Sequence, residues 1–381
     1  MEIVVKKYLM TPGPTEVPAE TLLAMARPVF HHRTPEFRET LEEAMELLRY
    51  VIQTSGDVFL LCGSGTAAME ACVANALRPG DKALCVLGGK FGERWANICE
   101  ALGVAVVPMD IEWGTAVAPQ AVADALAREP DIKAVCVQLC ETSTATVTDV
   151  EAIAGLTRDT ETLLLVDGVS SVGALEFRMD AWGVDLLAVG SQKALMMPPG
   201  LAVVAAGAKA VKAIEAHGGS GFYLNLAAAK KSADQGSTPY TASVNMVVGL
   251  LASLRMIKAE GIENVWARHA VLGTALRAGA AALGLPLLSS SPADCVTAIR
   301  LPEAVDGGAL LKDLEAKYGV KFAGGQNQLK GKIVRISTMG YSGPFDVIIA
   351  LSALEMALCD AGQPVELGAG VRAAEEVLLQ R

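Results

Sequence analysis

The chain has 381 residues, 52% of them hydrophobic and 19% charged, and carries a net charge of −10. That length and apolar content suit a globular protein of two domains, one large and one small, while an acidic balance with no basic run longer than a pair such as Lys6-Lys7 excludes a nucleic-acid surface. The start, Met1-Glu2-Ile3-Val4-Val5-Lys6-Lys7, lacks the apolar stretch of about 7–15 residues that a secretory signal needs, and no uncharged apolar run approaches the roughly 20 residues of a membrane span, so a cytosolic protein with no membrane partner is expected.

Residues 1–16 are expected to form an N-terminal arm. From residue 55 onward, short apolar runs alternate with helical patterns. Strands are expected at 58–62, 82–87, 104–108, 134–139, 163–166, 186–189 and 201–205, with helices at 66–77, 92–102, 119–128 and 150–157. Val- and Leu-rich strands, most followed by a helix, predict an α/β domain with a mainly parallel sheet covered on both faces. This large domain is placed at 17–255. A nearly continuous helical pattern over 244–283, interrupted by Gly261, carries the chain into a smaller C-terminal α+β domain at 256–381. There, strands are expected at 295–301, 320–323 and 332–337, and helices at 307–317 and 345–361. Most of the eight cysteines lie in apolar runs and read as reduced core residues. With no CxxC pair, no HExxH and four histidines, no metal site is expected.

In open parallel sheets, ligands sit outside the carboxyl ends of the strands, and the informative motifs fall at such ends. Gly63-Ser64-Gly65-Thr66 follows one strand and opens a helix, offering free N–H groups and a hydroxyl to a phosphate; an ordinary capped turn is the alternative. In Gly88-Gly89-Lys90-Phe91-Gly92-Glu93-Arg94-Trp95, Phe91 could lie flat on a ring or pack with Trp95 in the core. Glu141-Thr142-Ser143-Thr144-Ala145 offers hydroxyl donors, of which Thr142 is the better ligand candidate. Asp167 ends the apolar strand Leu163-Leu164-Leu165-Val166 and needs a cationic or strongly donating partner if buried; a loop or capping role is the alternative.

Lys193, in Gly190-Ser191-Gln192-Lys193 before Pro198-Pro199-Gly200, lies in a constrained turn between two apolar strands. Burial there lowers the amine's pKa and frees it for Schiff-base formation. Arg335 is a lone guanidinium in the apolar strand Lys332-Ile333-Val334-Arg335-Ile336, suited to a substrate carboxylate or to a structural salt bridge. A buried amine, a phosphate cradle and a buried carboxylate for a pyridinium nitrogen are together the requirements of pyridoxal 5'-phosphate.

The segments Ser191-Gln192-Lys193-Ala194-Leu195, Leu165-Val166-Asp167, Gly63-Ser64-Gly65-Thr66, Thr11-Pro12-Gly13-Pro14-Thr15, His32-Arg33-Thr34-Pro35-Glu36-Phe37 and Gly236-Ser237-Thr238-Pro239-Tyr240-Thr241 resemble those of the class V aminotransferases. The alanine–glyoxylate, serine–glyoxylate and serine–pyruvate group is most similar, over about residues 9–342. The resemblance implies a fold type I enzyme, a homodimer with its active site at the subunit interface, and ping-pong transfer of an amino group from alanine or serine to glyoxylate or pyruvate. It further implies that Lys193 carries the cofactor and moves the proton, Asp167 pairs with the pyridine nitrogen, Phe91 stacks on the ring and Thr142 contacts the ring hydroxyl. Gly65, Thr66 and Gln192 would bind the phosphate, with Thr238 reaching over from the other subunit, and Gly13 and Arg335 would hold the substrate carboxylate. Gln235 stands where the animal alanine–glyoxylate enzymes have a phosphate-binding Tyr, which leaves that contact replaced or absent. The rival within the class is a lyase such as a cysteine desulfurase, but that group typically has His before the Schiff-base Lys and His on the ring, where Gln192 and Phe91 stand here. A non-enzymatic scaffold with this fold would be expected to lose Lys193 or Asp167, and both are present.

Overall fold

The computed structural model of the chain describes residues 5–380. Its centre is a seven-stranded sheet of β1 (Asp57–Gly63), β2 (Lys82–Leu87), β3 (Ala105–Asp110), β4 (Ile132–Gln138), β5 (Leu163–Asp167), β6 (Leu186–Gly190) and β7 (Gly200–Ala206), in the order β1-β7-β6-β5-β4-β2-β3. Strands β2 to β6 are parallel, and β7 runs antiparallel to both its neighbours, β1 and β6. The carboxyl ends of β1, β2, β4, β5 and β6 therefore share one edge.

Both faces of the sheet are covered, so β5 and β6 are buried at every position and read as unbroken apolar runs. Side chains alternate between the two layers: Leu84 and Val86 of β2 enter one, Ala83 and Cys85 the other. The second layer holds α1 (Gly65–Ala76) and α2 (Lys90–Ala101). The small residues Ala68, Ala71 and Cys72 of α1 are fully buried there, which lets its axis approach the sheet closely. The first layer receives α3 (Val244–Glu260) and the helix Pro35–Ile52.

The helical pattern over 244–283 resolves into two helices, because Gly261 at φ 88 ends α3 before α4 (Ile262–Ala282) begins. Ile262, Val265 and Trp266 of α4 pack into the large layer, whereas Leu272, Leu276 and Ala280 enter the second core. That second core lies against an antiparallel sheet of β8 (Val296–Arg300), β9 (Ala323–Gly324) and β10 (Ile333–Ser337), in the order β8-β10-β9. Residues 8–10 join the second core. Tyr8–Leu9 pairs in parallel with Val320–Lys321, Met10 is buried in the second core, and its carbonyl accepts the Ser337 N–H at 3.0 Å.

All eight cysteines are free and six are buried. Cys85, Cys99 and Cys136 meet beneath α2 with their Sγ atoms within 4.8 Å of one another. No helix among the described residues is long and apolar enough to cross a membrane.

Candidate active site

The turn after β6 is held rigid by its own hydroxyl: Ser191 Oγ donates to the Pro198 carbonyl at 2.7 Å and accepts the Leu201 N–H at 3.2 Å. Lys193 projects from that turn and is only 8% exposed. Its Nζ donates to the Pro12 carbonyl at 2.5 Å and to Ser170 Oγ at 3.2 Å. Burial pulls the amine's pKa down to about 8; the nearby Asp167 charge opposes this and Arg335 adds to it. The amine is thus far more available near neutral pH than an ordinary lysine.

Asp167 ends β5, next to β6 in the sheet, and is buried. Burial lifts its pKa to about 6, against the Val169 N–H that donates to its Oδ1 at 2.8 Å. Glu141 raises it further, while Lys193 and Arg94 lower it. Among the described residues no cation forms an ion pair with Asp167, so the carboxylate is left to meet a cationic group from outside the chain.

At the end of β1, α1 starts without a side-chain cap from Ser64, which leaves its first N–H groups open to an anion. Gly65 is buried, and a Cβ there would come within 2.6 Å of Val169 Cγ2. Beside it, Gln192 Oε1 is buried with no hydrogen-bond partner. Thr66 Oγ1 accepts a hydrogen bond from Arg94 Nη1 at 3.1 Å, and the Arg94 guanidinium lies 4.8 Å from the centroid of the Phe91 ring.

Phe91 occupies the first turn of α2, whose N-terminus is capped from across the sheet edge. Glu141 Oε2 accepts the N–H groups of Phe91 and Gly92 at 3.0 and 2.9 Å, and Ser143 Oγ accepts that of Lys90 at 3.0 Å. The alternative in which Phe91 and Trp95 pack together in the core does not hold. Trp95 is wholly buried and donates to the Val137 carbonyl, whereas Phe91 stays half-buried beside the site under Arg94.

Thr142 Oγ1 donates to Ser170 Oγ at 2.7 Å, on the same hydroxyl that Lys193 reaches. Arg335, in β10, is 7% exposed; its Nε donates to the Gly324 carbonyl and its Nη1 to the Thr142 carbonyl, both at 2.9 Å. Among the described residues it has no carboxylate partner, and Nη2 makes no hydrogen bond. Gly13, at φ +119, leaves room for the Lys193 side chain, whose Cε and Nζ a Cβ there would overlap.

Thr238 is the predicted residue that this chain does not bring to the cluster. Its Oγ1 donates to the Tyr240 carbonyl at 2.7 Å, its own carbonyl accepts Arg33 Nη1 at 2.7 Å, and it lies near Cys62 and Tyr223. Gln235 is exposed on the preceding turn. Three members of the site are not singled out by the sequence: Glu141, Ser170 and Arg94. Each lies within or next to a motif that is, but what marks them is burial or a contact made only by folding.

Residues 7–338 match the family described as aminotransferase class-V. The chain belongs to the class V aminotransferases. It is 42% identical to an uncharacterized aminotransferase of Methanocaldococcus jannaschii, covering 99% of this chain and 98% of that one. It is 39% identical to a serine–glyoxylate aminotransferase of Hyphomicrobium methylovorum, covering 98% and 94%. The crystal structure of a ureidoglycine–glyoxylate aminotransferase from Bacillus subtilis superimposes with a TM-score of 0.93 at 31% identity, over 99% of each chain. A cysteine desulfurase from Thermococcus onnurineus matches at 15% identity and a TM-score of 0.72 and shares the fold alone.

The family depends on pyridoxal phosphate, and the residues of this chain fit that group. The uncapped start of α1, with Gly65 at its first turn and no Cβ in the way, lies where a phosphate would be received, and the Gln192 amide beside it has its Nε2 to donate. The unpaired Asp167 suits a pyridinium nitrogen, and the Lys193 amine suits an aldehyde.

Proposed function

We propose that this class V aminotransferase moves the amino group of a small amino acid, alanine or serine, to glyoxylate or pyruvate in a ping-pong cycle. The observation that carries the reading is the pair formed by a buried Lys193 amine of lowered pKa and a buried Arg335 with no carboxylate partner among the described residues. Bound pyridoxal phosphate supplies the electron sink for the substrate's α-carbon.

The chain's own groups do the rest. Lys193 would hold the cofactor through its amine, and that amine, when free, would carry a proton to and from the substrate's α-carbon. Asp167 keeps the ring nitrogen protonated. Phe91 would cover the ring, Thr142 would meet its hydroxyl, and Gly65, Thr66 and Gln192 would receive the phosphate. Arg335, with the close backbone at Gly13, takes the substrate carboxylate. Ser170 bridges Thr142 and Lys193 and holds the resting amine in place.

Thr238 completes the phosphate site of a second copy of the chain in a homodimer. Supporting this, Phe222 and Tyr223 beside the Thr238 loop are 80% and 48% exposed, and Leu23 and Val29 are 72% and 71% exposed, large apolar side chains that a second copy would cover. A cytoplasmic location fits the reduced, buried cysteines. A desulfurase needs a reachable sulfur-accepting cysteine, whereas Cys140 and Cys295, near Lys193, are both buried.

Titrating the purified holoenzyme with a panel of amino acids, then with 2-oxo acids, tests the reading by the visible spectrum. Alanine or serine should bleach the band and glyoxylate or pyruvate restore it. Bleaching by cysteine alone, with release of sulfur, would overturn it.

A further inference from the structure

We propose that Arg94 is a positioning residue for the cofactor's phosphate, acting through Thr66; the proposal rests on the reading that Gly65, Thr66 and Gln192 form the phosphate cradle. A hydroxyl has one proton to give and two lone pairs to receive, whereas a guanidinium only donates. With Arg94 Nη1 donating to Thr66 Oγ1 at 3.1 Å, one lone pair is occupied from the α2 side. The Thr66 proton is then turned away from Arg94, toward the open first turn of α1 where Ser64 makes no cap. A freely rotating threonine would spend its proton on several partners; this one is set as a donor.

The charge of Arg94 points the same way. Its neighbour Glu93 is engaged by Lys90 at 2.7 Å, and among the described residues Arg94 forms no ion pair of its own. A half-buried cation that no ion pair neutralises, with the buried Asp167 carboxylate in electrostatic reach but not bonded to it, next to the positive end of α1, makes that corner attractive to a dianion. Its guanidinium also lies over the Phe91 ring, so one side chain links the group that covers the cofactor's ring to the group that meets its phosphate. Arg94 is thereby distinguished from a residue that merely props up Phe91: the first role depends on the phosphate and the second does not.

The test compares the apoenzyme's affinity for pyridoxal phosphate with that for pyridoxal, which lacks the phosphate, by absorbance and fluorescence titration. Arg94→Met keeps an apolar stem over Phe91 and removes the donors. It should weaken pyridoxal phosphate by roughly tenfold or more, the loss typical of a hydrogen bond to a charged group, and leave pyridoxal within about twofold. Inorganic phosphate should likewise compete less well with pyridoxal phosphate in the variant, and Arg94→Lys should recover part of the loss. Equal weakening of both ligands, or of neither, overturns the proposal. If Arg94→Met does not fold, the same two affinities in Arg94→Lys decide the matter. A wild-type apoenzyme that binds pyridoxal phosphate no more tightly than pyridoxal would remove the cradle itself, and the proposal with it.

Discussion

The Glu141 carboxylate accepts the Phe91 backbone N–H at 3.0 Å, from 50 residues away in sequence. One buried acid, three residues past β4, thus sets both the start of α2 and the position of the aromatic ring under Arg94. Replacing it frees the N–H groups of Phe91, Gly92 and Ser143, the last two on buried residues. Glu141→Ala should cost about 1–3 kcal/mol of stability by urea denaturation. Unlike a change at Arg94, it should weaken pyridoxal and pyridoxal phosphate alike. Unchanged stability with unchanged affinities would show that Phe91 is held by other contacts.

Lys193 leads to a pH prediction. Its folded-state pKa of about 8 lies below the 10.5 of an ordinary lysine, so the amine becomes free at lower pH. The rate at which apoenzyme captures pyridoxal phosphate covalently should rise with pH, pass half-maximum near pH 8 and level off above it. Between about 8 and 10.5 the unfolded chain holds a proton that the folded chain has released, so stability attributable to this group rises with pH across that window. Lys193→Ala should keep the fold, lose the visible band and lose at least about 10⁴-fold in turnover. A Lys193→Ala enzyme with wild-type turnover would falsify the assignment.

Arg335 is held by two carbonyls and has a donor to spare. Arg335→Gln keeps a polar side chain but loses the charge and the fork. Its KM for both amino donor and 2-oxo acceptor should rise roughly tenfold to hundredfold, with a smaller effect on kcat. Steady-state kinetics with each substrate varied in turn would check this, and an unchanged KM would remove the carboxylate role.

His269 predicts acid sensitivity away from the site. It is fully buried in α4, its Nδ1 lies 2.6 Å from the Val265 carbonyl, and its Nε2 accepts the Gly340 N–H at 3.0 Å. Burial, with Arg268 nearby, lowers its pKa to about 3. Between about 6.5 and 3 the unfolded chain therefore binds a proton that the folded chain refuses, and stability falls as pH falls. The loss attributable to His269 is about 2 kcal/mol at pH 5 relative to neutral pH. His269→Gln should flatten that part of the profile in chemical denaturation at pH 7 and 5; the same slope in both proteins would assign the loss to other groups.

The strands were legible because a sheet covered on both faces leaves no polar alternation, so runs such as Leu163-Leu164-Leu165-Val166 could only be interior strands. Lys193, Asp167 and the Gly63-to-Thr66 turn were legible for a related reason, since each interrupts an apolar run with a residue expensive or useless to bury without purpose. Arg94 and Glu141 were not, because their meaning lies in partners 28 and 50 positions away, and an exposed acid in a loop has the same sequence signature as a buried cap. The pattern over 244–283 hid a change of core, because α4 is apolar enough on its buried positions to serve both layers. Thr238 shows the other limit: its surroundings in one chain give no sign of the phosphate assigned to it.

Residues 8–12 join the second core to the edge of the central sheet over a short span. Leu9 is paired with Lys321 of the small domain, and the Pro12 carbonyl holds the Lys193 amine, with only Met10 and Thr11 between. So short a tether has almost no slack. Ser337, two residues on from Arg335, donates its N–H to the Met10 carbonyl, so the strand that carries Arg335 is bonded to the same short segment whose Pro12 carbonyl holds the amine. A shift of that strand is therefore a shift of the amine's own hydrogen-bond partner.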